Sequence, residues 1–520
     1  MKLRAVFRLF QGLLLGTLGS LAPAQDVQIP DAGLNLAVRQ ALGKPSGPLT
    51  AEDMLSLTNL NARGRNVSNI SGLEVARNLV SLNLEINHLS SFSLPNTLTN
   101  LGTLDVSINP LTHFSLPGGL TKLKSITMES AGLTNLVLPA GLTSLTNLDL
   151  ENNQLINFDP LSNLTGLVTL DLGFNSFTHF SLPGGLTNLG TFYFAGNPLT
   201  DFTLAEGLAG MTELNASQNL LTSFTIPGGM TNLVELDLAF NQLTNLTLPG
   251  DLKSLEELDL DFNRLSALNF PSNLTTLSFL HLRANQFTNF TLPSGLTGLT
   301  YLDVSDGPLS DISLPTDLYH LTALRIARNT NLTSLTLPVG LTNLTRLFLA
   351  GNQLTNVALP PDLNRLETLN LGGNRFTSLT LPAGLSNLSG LFLVGNQLTN
   401  ITFPPDMTQV TGFGHLANPL ATLVLSEVNA TNLAEDVTFL RNQGVSVFTY
   451  PLAVQMVRPQ LLPGAFQFAV TGPPGIYSIV ASADLLTWTA LGTITNSFGS
   501  ISFNDVTSNL TSRRFYRVFR

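Results

Sequence analysis

Carboxylates recur in this 520-residue chain at intervals that place them on common faces. Asp105, Asp149, Asp171, Asp237, Asp259 and Asp303 are separated by multiples of 22 residues. Glu85, Glu129, Glu151 and Asp261 follow the same spacing two residues later, and Glu213, Glu235 and Glu257 follow it two residues earlier. Paired carboxylates are the material of general acid–base catalysis, and larger groups of them can supply the roughly 6–8 oxygens of a calcium ion. Further along the same registers the side chains change to Phe279, His281, Arg283, Tyr301, Arg325 and Arg346, and then to Phe348, Phe392 and Val394. Acid thus gives way to a basic and aromatic stretch, the composition that dominates interface energetics.

Other chemistry is thin. The chain has no cysteine, which removes disulfides, thiolate zinc sites and a cysteine nucleophile. His113 and His179 share a register with each other but lie three periods apart. At about 4.8 Å per strand that is ~14 Å, too far for one ion. His88, His281, His320 and His415 complete the set. Pro-Gly-Gly segments are turn chemistry, and no phosphate loop or nucleophile elbow is present. A glycosidase needs two carboxyls ~5–10 Å apart in a cleft that closes on the sugar, whereas these registers lie on an open strand face. No catalytic residue, metal site or cofactor is expected, and a secreted hydrolase is the least favoured reading.

The elements that must position these residues are repeats. Leu236-Asp237-Leu238-Ala239-Phe240-Asn241-Gln242-Leu243 returns one period later as Leu258-Asp259-Leu260-Asp261-Phe262-Asn263-Arg264-Leu265. The Asn position is filled by Asn87, Asn109, Asn153, Asn175, Asn197, Asn219, Asn241, Asn263, Asn285, Asn329, Asn352, Asn374, Asn396 and Asn418, with Arg65, Ala131 and Gly307 as departures. Leu-x-Leu alternation reads as a short strand buried on one side. The Asn side chain can both donate to and accept from backbone, so stacked copies form a ladder between coils. Residues four and two before each ladder position face outward. The return path, as in Leu246-Thr247-Leu248-Pro249, reads as extended or polyproline-like, with at most a 3₁₀ turn. Such a period specifies a stacked array whose function lies on a surface.

This pattern resembles the leucine-rich repeat family, in particular the bacterial 22-residue forms found in internalins. The resemblance implies a right-handed curved coil with a parallel sheet on its concave face. The expected fold class is therefore an α/β-type solenoid dominated by short parallel strands, with helical caps. Asp237, Asp259, Asp261, Phe279, His281, Arg283, Tyr301, Asp303, Arg325 and Arg346 are the candidate binding residues of that face. The competing reading of any one column is an ordinary solvated strand face, since Asp between two leucines is the family default.

The ends differ from the array. Lys2, Arg4 and Arg8 precede an apolar run from Leu9 to Leu21 and the small-residue site Ala22-Pro23-Ala24. These are the parts of a signal peptide over residues 1–24, cleaved after Ala24. Residues 25–59 read as a helical cap, with Asp31 capping a helix that faces inward through Leu34, Val38, Ala41 and Leu42. Thr50 and Asp53 form a capping box. The solenoid spans 60–425. A terminal cap over 426–450 starts a helix at Asn432, with Leu433, Val437 and Leu440 on one face and Gly444 at its end. Residues 451–520 carry five alternating runs and resemble a small β-sandwich-like module found at the C-termini of secreted Verrucomicrobia-type proteins. Trp488, the only tryptophan, is expected in that module's core.

Net charge is −10 overall and −16 over residues 25–450, which disfavours nucleic acid as a partner. No later apolar stretch is long enough to span a membrane. The sequence is therefore read as an exported or cell-surface, non-enzymatic recognition protein with a protein or glycan ligand. The alternative is a structural or adhesive protein in which the solenoid is a spacer and residues 451–520 attach to the cell.

Overall fold

A computed structural model describes residues 26–507 and 513–520; the expected signal peptide and cleavage site lie outside them. The chain divides into two compact units, residues 1–235 and 236–520.

In the first unit the helix Ala32–Ala41 buries Leu34, Ala37 and Val38. Ala37 takes the inner position expected of Ala41, which sits in the last turn and faces solvent. One oxygen of Asp31 accepts the N–H of Leu34 at 2.9 Å, and the other accepts the N–H of Ser68 at 2.8 Å. The cap residue therefore also ties the helix to the first coil. Thr50 and Asp53 form the capping box of the helix Ala51–Ser56.

Three-residue strands follow, each with a buried central residue between two outward-facing ones. Asn59–Asn61, Ser81–Asn83, Thr103–Asp105, Ser125–Thr127, Asn147–Asp149, Thr169–Asp171, Thr191–Tyr193 and Glu213–Asn215 pair in parallel. The second unit repeats the plan with Glu257–Asp259, Phe279–His281, Tyr301–Asp303, Ala323–Arg325, Arg346–Phe348, Thr368–Asn370, Gly390–Phe392 and Gly412–Gly414. Each unit carries a parallel-strand solenoid. A lone coil has too little apolar surface to fold, so burial between neighbouring coils supplies the core.

The ladder amides show how coils are joined. Asn153 Oδ1 accepts the N–H groups of Ala131 and Leu133 at 3.1 and 3.0 Å. Its Nδ2 donates to the carbonyls of Met128 and Leu150 at 2.8 and 3.0 Å. Asn374 repeats this with Leu354, Leu349 and Leu371. Ala131 and Gly307 lack the amide, yet their own N–H groups are taken up by Asn153 and Asn329. The residue before each ladder position takes a left-handed backbone, with φ of 55° at Phe240 and 53° at Arg328. This conformation costs energy outside glycine, but it aims the N–H groups at the next coil, onto Asp261 O and Ala350 O.

The return path is extended, as expected, and parts of it also pair as strands. Ser91–Ser93 pairs in parallel with His113–Ser115, His179–Leu182 with Asp201–Leu204, Asn289–Thr291 with Asp311–Ser313, and Ser334–Thr336 with Asn356–Ala358. The same period that stacks the front strands brings these segments side by side, and a proline after all of them except Asp201–Leu204 ends the strand.

The terminal cap is two helices, Glu427–Asn432 and Ala434–Asn442. The expected helix is the second of these, capped at Leu433, one residue after the expected Asn432; the first was not anticipated. Ser426 caps the first helix by accepting from Asn429 N, and the break falls at Leu433. Leu433, Val437 and Leu440 are buried. Ser446–Tyr450 then pairs with Thr422–Ser426.

Residues 451–520 form two three-stranded antiparallel sheets around Phe468, Val470, Tyr477 and Ile479. Gln455–Leu462, Ala465–Thr471 and Ser500–Asp505 make one; Thr489–Asn496, Gly475–Ser482 and Phe515–Phe519 make the other. Gln455–Leu462 is a sixth strand, hidden from sequence because it is largely exposed and Pro459 interrupts its register. Trp488 is outside the core. Its Nε1 donates to Leu485 O at 3.3 Å, and the Arg517 guanidinium lies 4.1 Å over its ring. Among the described residues no helix is long and apolar enough to cross a membrane.

Candidate functional site

The outward column four residues before the ladder holds most of the acids, and the structure gives them a local task. Asp105, Asp149, Asp171, Asp237, Asp259 and Asp303 each use Oδ1 to accept the backbone N–H two residues on. Asn83, Asn215 and Asn370 do the same. This bond turns the chain out of the strand, which is why Asp and Asn recur there. The carboxylates lie half-buried instead of standing free in solvent, and Asp303 is buried.

The candidate residues of the second unit meet on one sheet face. Register sets Asp259, His281, Asp303, Arg325 and Phe348 side by side across five successive strands. Donor atoms of Asp259, Asp261 and His281 lie within 4.8 Å of one another. His281 Nε2 is 3.7 Å from Glu257 Oε1, and its ring lies 4.9 Å from that of Tyr301. Asp261 Oδ1 accepts the N–H of Arg283 at 2.7 Å. Burial, with the Asp259 charge adding to it, pushes the Asp261 carboxyl up to about 7. Burial also raises Asp259, and Asp237 reinforces the shift. Two oxygens and an imidazole at this spacing are a donor set that a divalent cation accepts.

Next to this lies the opposite sign. Arg283 and Arg328 both pair with the carboxylate of Asp306, and those bonds, that of Arg328 foremost, hold Asp306 below the usual carboxylate range. The Arg283 guanidinium also stands 5.1 Å over Phe262. Arg325 stacks 4.5 Å over Phe348 and 6.0 Å from the Tyr301 ring centre. Tyr301 donates to Asp303 Oδ2 at 3.3 Å; burial and then the Asp303 charge push its hydroxyl up to about 12. Phe279 is exposed at the margin, 6.4 Å from Tyr301, and Arg346 is exposed beside the stack. Asp237 lies at the acidic end.

Sequence reasoning missed Asp306 and Arg328. Both occupy the left-handed position before the ladder, whose outward direction the strand pattern does not reveal. The column elsewhere holds residues such as Ile86, Ile108, Phe240 and Phe262, so a charged pair at 306 and 328 was the available signal.

The first unit holds its own cluster, Asp149, Glu151 and Asp171, with oxygens within 4.8 Å of one another. Burial is the main cause that pushes Asp171 up to about 7, helped by Asp149 and Glu151. His113 and His179 sit on the return path, each bonded to the preceding threonine hydroxyl.

Known proteins share this architecture. Residues 78–169, 264–370 and 304–414 match the BspA type leucine-rich repeat region, and residues 231–275 match leucine-rich repeats. An internalin (inlF) from Listeria monocytogenes is 25% identical with a TM-score of 0.50, the match covering 68% of this chain and 96% of that one. The functional domain of InlJ, also from Listeria monocytogenes, has a TM-score of 0.56 at 18% identity, covering 86% of this chain and 97% of the other. YopM from Yersinia enterocolitica gives 0.51 at 24% identity, over 77% and 89%. The latter two likenesses concern the fold alone. No curated protein matches the chain.

Proposed function

Because the chain belongs to the leucine-rich repeat family, whose solenoids are protein-interaction scaffolds, we propose that it is an exported, non-enzymatic recognition protein. Its binding surface is the sheet face running from Asp237 through Asp259, Asp261, Phe279, His281, Arg283, Tyr301, Asp303 and Arg325 to Arg346. One observation carries this reading: acids, a histidine, aromatic rings and arginines from five paired strands lie side by side on a rigid sheet. A preorganised surface loses little freedom on binding. A polypeptide fits it better than a glycan, because the Tyr301 ring is already occupied by His281 and Arg325 and is not free to stack on a sugar.

The test is capture of extracellular proteins by the immobilised chain and by an Asp259→Lys/Asp261→Lys variant. Selective loss of partners supports the reading, and an unchanged captured set overturns it. If binding instead follows residues 451–520 alone, the solenoid is a spacer and the terminal module attaches. Export is tested by N-terminal sequencing of the secreted product, which is expected to begin at Gln25.

A further inference from the structure

The two residues before the ladder on adjacent coils, Ala327 and Ala350, are small, while their neighbours in the outer column, Arg325 and Phe348, are large. Small side chains beside large ones leave a hollow. It measures about 250 Å³ and is walled by Arg283, Asp303, Arg328 and Asn370 as well as by these four residues and Ser305.

The charges around it are unevenly satisfied. Arg283 and Arg328 share the Asp306 carboxylate. The Asp303 oxygens accept from Ser305 N and the Tyr301 hydroxyl. Arg325 alone among the lining cations has neither an ion pair nor a hydrogen bond among the described residues, and its Nε is buried without a partner. An arginine held between two rings with a covered, unbonded Nε is an expensive arrangement in a protein that nothing else contacts. The guanidinium, 4.5 Å over Phe348 and 6.0 Å from the Tyr301 ring, lines the hollow and brings a planar fork of N–H donors to it. Asn370 supplies a second donor: its Oδ1 is occupied by Gly372 N, and its Nδ2 has no partner among the described residues.

We propose that this hollow is an anchor pocket for one carboxylate side chain of a polypeptide partner, gripped by Arg325 with help from Asn370. This rests on the recognition reading above and names the chemistry of the partner. A carboxylate matches a planar fork in two parallel bonds and balances the single unpaired cation. A phosphate dianion would bring a second charge, for which the hollow holds no free cation.

The neighbouring acids sharpen the partner further. Asp259 and Asp261 each leave one oxygen without a partner among the described residues. Asp259 is three strands from Arg325 in direct register, ~14 Å at about 4.8 Å per strand. An extended peptide covers that distance in about four residues. The partner segment therefore carries a Lys or Arg for Asp259 and Asp261, and an Asp or Glu about four positions away for Arg325.

A random peptide library displayed on phage and selected on the immobilised chain tests this. Enriched peptides are expected to pair a basic with an acidic residue at that spacing. Changing the peptide acid to its amide, or Arg325→Gln in the protein, is expected to weaken binding about tenfold or more, and the two changes together no further. Arg325→Lys keeps the charge but not the fork and recovers only part of the affinity. Ala327→Leu fills the hollow without touching the guanidinium and weakens binding likewise; a helix-independent melting temperature close to that of the parent shows that it still folds. Peptides that lose affinity with Asp259→Asn/Asp261→Asn but not with Arg325→Gln overturn the anchor and leave the recognition surface standing. Peptides indifferent to all of these changes, or an empty selection, overturn both. Inorganic phosphate displacing the peptides at lower concentration than acetate also overturns the carboxylate assignment.

Discussion

Asp171 and Asp261 stand in different units, one on the column four before the ladder and one on the column two before it, yet both carboxyls are pushed up to about 7, and burial is the first cause in each. What surrounds them differs. Asp171 is backed by Asp149, Glu151 and Glu129, all of the same sign. Asp261 faces Asp259 and Asp303 but also Arg283, whose charge acts the other way. The coil thus decides how dry an outward position is, and the neighbouring columns decide which charge it can tolerate. One unit presents a uniformly acidic cluster. The other presents acid and base in contact, with Arg325 left unpaired among the described residues at its edge.

The largest effect should be blind to this difference. Asn175→Ala in the first unit and Asn285→Ala in the second each strand buried backbone groups, at a cost of roughly 1–3 kcal/mol. Urea denaturation should give similar losses, and a twofold disparity would show that surface charge reaches the ladder. The next effect should separate the units. An unfolded Asp titrates near ~3.9, so a folded value of about 7 means that the folded chain binds more protons in between. Stability should then fall as pH rises from roughly 4 to 7 and level off above. Asp171→Asn should remove part of that slope and raise stability at pH ~8 by about 1–2 kcal/mol after allowance for solvent screening. Asp261→Asn should gain less, since it also leaves Arg283 less well balanced. Equal gains in thermal melts at that pH would break the contrast.

Asp306→Asn tests the opposite sign. Its carboxyl is held low by Arg328 and Arg283, so its contribution is present above the unfolded value and is lost as pH falls through the folded one. As a partly exposed pair it should be worth under about 1 kcal/mol, and the loss at neutral pH should shrink in high salt. The smallest effect is expected outside both clusters. Trp488→Leu removes a surface stacking contact with Arg517, worth about 0.5–1 kcal/mol, and should shift the melting temperature little. A large shift would return Trp488 to a core role.

Much of the solenoid was legible because its causes are local and repeated. Leu258 and Leu260 announce a strand with one buried side, and Asn263 announces a ladder, since an amide recurring among leucines has to be satisfied by backbone. The caps were readable at Asp31 and Thr50, where donor and acceptor lie within one turn of each other. At Asn432 the same logic placed the helix start one residue early and missed the short helix Glu427–Asn432 before it, because Ser426, which caps that helix, belongs to the preceding strand. Gln455–Leu462 was invisible because an exposed strand with an internal proline has no alternation to read.

The candidate surface was legible only as a list. Spacing put Asp259, His281, Asp303 and Arg325 in one column, but a column says nothing about which oxygens are already used. Only the folded coil shows that Asp303 is spent on Ser305 and Tyr301, that Asp306 holds Arg283 and Arg328, and that Arg325 is left over. The sequence by itself determined the period, the ladder and the buried face, because hydrophobic alternation and amide satisfaction act within one or two coils. The tertiary structure decided which charges are paired and where a hollow opens. Those depend on side chains from four or more strands meeting across the sheet, and no single repeat contains them.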